Sequence, residues 1–257
     1  MTKVSIIKVG GNVIENPKDL DNFLKDFASI TGSKILVHGG GKKVSKWAER
    51  LGIPVEMKDG RRITNTETLE LITGIYGGQV NKNIVASLQG YNCNAIGLSG
   101  ADANAIQAVK RPIENTDFGW VGDITYVNTS FFKLLLNNAL SPICCALTHD
   151  ANGQILNTNA DTIASSIAVA LGKDFEVTLY YCFEQMGVMK SLKDQNSLIE
   201  HIDSQIYKKL KEEHIISEGM LPKMKNSFDA LQNGVSKVHI GKPEMIKGTI
   251  KHTTITL

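Results

Sequence analysis

The chain has 257 residues, with 28 Lys plus Arg against 26 Asp plus Glu, a formal net charge of +2, and 42% hydrophobic against 21% charged residues. That balance excludes a dedicated nucleic-acid clamp or a polybasic membrane binder, and the apolar fraction excludes a disordered chain. At this length one large α/β domain, or two lobes sharing a sheet, can bury an extensive core. Val4 opens an apolar run that Gly10-Gly11 stops, which predicts a buried strand over 4–9. Asn16-Pro17 then reads as a helix cap with proline in the first turn, and Leu20, Phe23, Leu24 and Phe27 supply the apolar face. A second strand over 35–37 ends at His38-Gly39-Gly40-Gly41. The helix after it, over 42–51, has Val44, Trp47, Ala48 and Leu51 on one face. Strand, glycines and helix therefore occur twice within fifty residues, which predicts a largely parallel sheet with helices on both faces.

Further along, the pattern predicts a helix over 66–89, a strand over 94–98 and a hairpin insertion over 110–128. A helix over 130–138, a strand over 141–147 and a small-residue helix over 162–171 follow. Beyond Gly172, taken as a soft lobe boundary, come a strand over 176–181, helices over 196–213 and 222–233, and a final strand over 237–240. The four cysteines, Cys93, Cys144, Cys145 and Cys182, show no ligand spacing and read as buried thiols of a reducing compartment. No stretch approaches the roughly 18 apolar residues of a membrane span, and no signal peptide precedes the first strand. The expectation is a cytoplasmic protein with neither membrane nor nucleic acid as partner.

The usual phosphate-loop and protein-kinase signatures are absent, and six scattered histidines show no metal spacing. What is present is two glycine runs at strand exits. There, bare backbone N–H groups and a following helix N-terminus favour an anion, although either run alone often makes only a tight turn. Lys8 interrupts an apolar strand two residues before Gly10, where an unpaired buried ammonium is costly, so it points to an anion in the mouth of the sheet. Lys223 and Lys225 near the start of the helix over 222–233 oppose its dipole. They are either solvated or facing something negative. Asn157 and Asn159 can bind a ligand and Asp161 can fix lysines, though Asn and Asp at a helix start normally cap it. The planar fork of Arg62 suits a carboxylate.

In order, Ile6-Ile7-Lys8-Val9-Gly10-Gly11, Val37-His38-Gly39-Gly40-Gly41, Gly60-Arg61-Arg62-Ile63-Thr64, Leu156-Asn157-Thr158-Asn159-Ala160-Asp161 and Gly219-Met220-Leu221-Pro222-Lys223 form a series. It resembles the N-acetylglutamate kinases of the amino-acid kinase family from the first strand to the last helices. The resemblance implies an open αβα sandwich, with acylglutamate binding and dimerisation in a lobe of residues 1–172 and nucleotide binding in 173–257. It implies that Lys8 and Lys223 stabilise the transferring phosphoryl group and that Asp161 orients them. Gly40, Gly41, Arg62 and Asn157 would hold the amino-acid substrate, and Gly10 and Gly11 would line the phosphate path. The reaction expected is ATP-dependent phosphorylation of the side-chain carboxylate of N-acetyl-L-glutamate, in arginine biosynthesis. Mg²⁺ would be carried by phosphates and water, with no protein metal ligand. The partners expected are these small molecules and a second copy, in a homodimer insensitive to arginine. One departure stands out: the stretch Tyr180 to Met189 lacks the Asp that the family usually has before its Gly-Val-Leu-like turn. Two other readings remain. Arg61 beside Arg62 suits a second carboxylate, as in N-succinyl-L-glutamate, and the altered stretch suits a non-catalytic sensor of amino acids or nucleotides.

Overall fold

The computed structural model describes residues 1–58, 60–191, 194, 196–213, 215–216 and 220–257, with only the backbone of Pro222. Gly219, which belongs to the sequence series above, lies outside the described residues. The core is an eight-stranded sheet. From one edge its order is His201–Ile202, Thr253–Ile255, Lys237–Gly241, Glu176–Cys182, Lys3–Val9, Ser33–His38, Ser141–Cys145 and Ala95–Leu98. Every neighbouring pair is parallel except Lys237–Gly241 with Thr253–Ile255. Strands from before Gly172 fill one half and strands from after it fill the other, and the halves meet where Lys3–Val9 pairs with Glu176–Cys182.

The continuous apolar runs are explained by burial on both faces, as parallel strands between helices require. Ile6, Ile7, Val9, Ile35, Leu36 and Val37 are all fully buried. Each such side chain stabilises the fold by about 1.5–3 kcal/mol relative to exposure. Helix Pro17–Ser29 buries Phe23, Leu24 and Phe27, and the Asn16 carboxamide oxygen accepts from the N–H groups of Lys18 and Asp19 at 3.0 and 3.4 Å. Helix Ala160–Leu171 turns Ile163, Ala164, Ile167, Ala168 and Leu171 inward. Its small residues let it lie close over the central strands and against helix Leu221–Gln232. All four cysteines are buried and free.

Several expected elements differ. The span 66–89 is not one regular helix: Thr66–Thr73 and Asn81–Gly90 are α-helical, and Gly74–Val80 between them is a π-helical turn. Three glycines in Gly74-Ile75-Tyr76-Gly77-Gly78 weaken the α register there, and π segments are associated with functional sites. The span 141–147 is two strands, because after Cys145 the chain leaves the main sheet. Leu147–His149 joins a second sheet with Ile155–Asn157, Ile106–Lys110 and Gly122–Val127. The last two form the antiparallel hairpin, which starts four residues before the expected 110. The helix over 196–213 is shortened to Ser204–Glu212, because Asp203 is its N-cap and accepts from the N–H groups of Gln205 and Ile206, both at 2.8 Å. Residues 201–202 are instead an edge strand. Lys237–Gly241 is also not the last strand: Thr253–Ile255 pairs beside it, too short and polar to register as a strand from its pattern.

Candidate functional site

Register brings the carboxyl ends of three strands to one level: Val9 lies opposite His38 on one side and Cys182 on the other. In an open parallel sheet this crevice is where ligands bind. Both glycine runs open here. The Gly10 N–H donates to the Cys182 carbonyl at 3.1 Å, and a Cβ on Gly10 would lie 3.2 Å from that oxygen. A side chain there would have to push the neighbour strand back by a few tenths of an ångström, so glycine suits so close an approach. Gly11 begins the short helix Gly11–Glu15 and faces open space. Gly10, Gly11, Asn12, Lys42 and Glu184 line a cavity of about 200 Å³ between the two halves.

Lys8, Asp161 and Lys223 meet at this mouth from three separate elements distant in sequence. Lys8 Nζ lies 2.8 Å from Asp161 Oδ1, and Lys223 Nζ donates to Asp161 Oδ2 at 2.9 Å. The carboxylate is 16% exposed, the lysines 15% and 28%. Burial alone would push the Asp161 carboxyl up, but the two ammonium groups outweigh it and hold the group down at about 2. One carboxylate thus holds two cations at a fixed spacing and leaves an excess positive charge facing the mouth. The helix start itself is capped by Asn159, whose side-chain oxygen accepts from the N–H groups of Asp161 and Thr162 at 2.8 and 3.1 Å. The capping reading therefore accounts for Asn159, and Asp161 is left free for the lysines. Lys225 is exposed.

The second glycine run is built tightly. Gly40 has φ +156°, which favours glycine, and a Cβ there would sit a tight 3.1 Å from the Tyr76 ring. Val44 N–H closes onto the Gly40 carbonyl at 3.1 Å, starting helix Gly41–Leu51 with no side chain capping it. The Arg62 Nη2 group donates to the Gly41 carbonyl at 3.0 Å and to Ser45 Oγ at 2.9 Å, while its Nη1 is buried without a partner. Asn157 is tied to the same cluster, since its Nδ2 donates at 3.0 Å to Thr64 Oγ1, which in turn donates to the Arg62 carbonyl at 3.2 Å. Arg62, Asn157, Gly40 and Gly41 therefore form one connected group. Arg61 does not join it. Adjacent strand residues face opposite ways, and Arg61 is exposed and lines a different cavity of about 400 Å³ with Arg111, Glu114, Phe118 and Asp123.

Three residues near the site carry no obvious signal in sequence. His38 is fully buried, and burial holds its imidazole down at about 4, so it is neutral. A carbonyl only accepts, so Nδ1 carries the proton and donates to Gly39 O at 2.9 Å. Nε2 then accepts from Asn81 Nδ2 at 3.0 Å, and that amide also donates to the Ile143 carbonyl at 2.8 Å. The third is Tyr76, whose ring backs Gly40. The glycines around Tyr76 in an otherwise helical stretch were the one available clue.

Among the described residues no group of three or more His, Cys, Asp or Glu is placed to hold a metal ion, and no helix is long and apolar enough to cross a membrane. The acidic group at the mouth is already paired with two lysines, so the donor set suits anionic phosphate rather than a bare cation.

The sequence model of the amino acid kinase family matches residues 3–242. An acetylglutamate kinase of Cytophaga hutchinsonii is 52% identical over 247 residues, covering 96% of this chain and 94% of that protein. One of Phocaeicola vulgatus is 50% identical over 238 residues, covering 93% of each. Among solved structures, smu.665 from Streptococcus mutans UA159 is similar with a TM-score of 0.77 and 26% identity, covering 98% of both chains.

Proposed function

We infer that this chain, which belongs to the amino-acid kinase family, is an ATP-dependent kinase that phosphorylates the side-chain carboxylate of N-acetyl-L-glutamate. The product is an acyl phosphate of arginine biosynthesis. The observation that carries this reading is the convergence of Lys8 and Lys223 on Asp161 at the mouth of the sheet. The acceptor carboxylate, with a pKa of about 4.3 in a free glutamate side chain, is already ionised at neutral pH and needs no general base. Asp161 is unsuited to be one, because both its oxygens are held by ammonium groups. What remains is to align two anions that repel each other and to neutralise the phosphoryl oxygens between them.

Lys8 and Lys223 take that charge, and Asp161 sets their spacing. Gly10 and Gly11 leave room for the phosphate path. Arg62 Nη1, Asn157 and the uncapped N–H groups after Gly40 hold the acceptor. The nucleotide enters as MgATP, its metal carried by phosphate oxygens and water. Residues 1–172 form the acceptor lobe, which supplies every acceptor group named here, and residues 173–257 form the nucleotide lobe.

An ADP-release assay across N-acetyl-L-glutamate, N-succinyl-L-glutamate, aspartate and carbamate tests the assignment. The expected result is the highest kcat/KM with the acetyl compound. Tight ATP binding without turnover of any acylglutamate would instead make the chain a sensor.

The acceptor lobe is also assigned the dimer contact. The apolar stripe of helix Gly41–Leu51 continues onto the surface, with Trp47 37% and Leu51 58% exposed beside a hollow lined by Ile53, Leu71 and Ile75. A second copy covering it removes this surface from water. Light scattering is expected to give twice the mass of the chain, and Leu51→Glu to lower it to that of a monomer. A monomeric wild-type protein contradicts the dimer.

A further inference from the structure

We propose that Tyr76 is an acceptor-binding residue, its hydroxyl donating a hydrogen bond to the non-reacting α-carboxylate of the acylglutamate; the proposal rests on the kinase reading above. Tyr76 is 6% exposed and belongs to the π-helical turn Gly74–Val80. Its ring lies against Gly40, and its hydroxyl oxygen is 3.7 Å from the point where a Gly41 side chain would begin. Arg62 Nη2 is 3.9 Å from that same point. No protein group among the described residues hydrogen-bonds the hydroxyl, which is not sealed off from solvent, whereas Nη1 of Arg62 is buried without a partner. The hydroxyl and the Arg62 guanidinium thus flank the first residue of a helix whose N-terminus no side chain caps.

A tyrosine hydroxyl with no protein partner at the rim of a site is free to donate to a ligand that displaces its water. Packing against Gly40 alone would be served equally by phenylalanine. The hydroxyl is explained if an anion bridges it, the guanidinium and the uncapped N–H groups. The anion is the α-carboxylate, because the side-chain carboxylate must point toward Lys8 and the phosphoryl group. Burial pushes the Tyr76 phenol up from its ordinary value, so it stays a proton donor throughout the neutral range. The π-helical turn is the device that aims it. From that one turn Tyr76 and Val80 both reach Gly40, and the next residue, Asn81, holds His38.

Tyr76→Phe keeps the ring on Gly40 and removes only the hydroxyl. Loss of one hydrogen bond to a charged group predicts an acceptor KM and Kd raised on the order of tenfold, with ATP KM, kcat and thermal unfolding unchanged. N-acetyl-L-isoglutamine, whose α-carboxylate is replaced by a carboxamide, supplies a second readout. Wild type should favour N-acetyl-L-glutamate over it more strongly than Tyr76→Phe does. An active wild type alongside a Tyr76→Phe variant with acceptor KM within about twofold, or with undiminished discrimination, overturns the proposal and leaves the kinase assignment intact. A wild type inactive on every acylglutamate overturns both.

Discussion

Lys8→Met is expected to lower kcat on the order of 10²–10³-fold, the scale on which one transition-state charge contact acts, while acceptor KM changes by less than about threefold. Methionine has nearly the length of lysine and no charge, so the packing of the strand is preserved. Asp161 also keeps Lys223 as a partner at 2.9 Å, so the fold is not left with an isolated buried carboxylate. The asymmetry between kcat and KM follows from where the groups lie. Lys8 sits in the central strand facing Asp161, whereas the acceptor is assigned to Arg62, Asn157 and the Gly40-Gly41 turn, which reach the site through a separate hydrogen-bonded cluster. An interaction strengthened only as phosphoryl charge shifts lowers kcat and kcat/KM together. Lys223→Met should behave the same way, and the double variant should lose less than the product of the two losses, because both cations serve one group. Steady-state kinetics with both substrates varied decides it. A raised acceptor KM with kcat intact would remove Lys8 from the phosphoryl group.

The parts of this arrangement that sequence made legible are those with a local physical conflict. Lys8 is a charge in a strand that is otherwise apolar. Lys223 is a cation where a helix dipole disfavours it. Gly40 and Gly41 stand where a buried strand gives way to a helix. Each conflict is resolved in the structure by a partner distant in sequence, and Asp161 resolves two of them. The central strands were legible for the same local reason, since burial on both faces writes an unbroken apolar run.

Other features left little or no local trace. Tyr76 in the middle of a helix reads as ordinary core, and the π-helical turn that aims it depends on glycines whose effect on register is set by tertiary packing. The link from His38 to Asn81 spans 43 residues and joins two types that are unremarkable where they stand. The opposite facing of Arg61 and Arg62 was open until the short strand Arg61–Arg62 put them on its two sides. The edge strand His201–Ile202 displaced the start of an expected helix, and Asp203 caps the helix that follows it.

Asp161→Asn is expected to cost both activity and stability, with a pH dependence that identifies its cause. The wild-type carboxyl is held at about 2 against 3.8 in an unperturbed chain. A carboxyl whose folded pKa is depressed stabilises the fold above the unfolded value and loses that contribution as pH falls through the folded value. A difference of nearly two units corresponds to about 2–3 kcal/mol, present in full above about pH 5 and fading from pH 4 toward pH 2. The asparagine variant cannot titrate and leaves Lys8 and Lys223 close together without a counter-charge, a loss of about 3–5 kcal/mol when a buried ion pair is broken from one side. Denaturant unfolding should therefore find the gap between the two proteins widest at neutral pH and narrowing below pH 4. kcat at neutral pH should fall at least as far as in the lysine variants, because both cations lose their common anchor. A gap that stays constant from pH 7 to pH 3 would mean that the carboxylate charge contributes nothing, and that the asparagine variant fails only through the shape of its side chain.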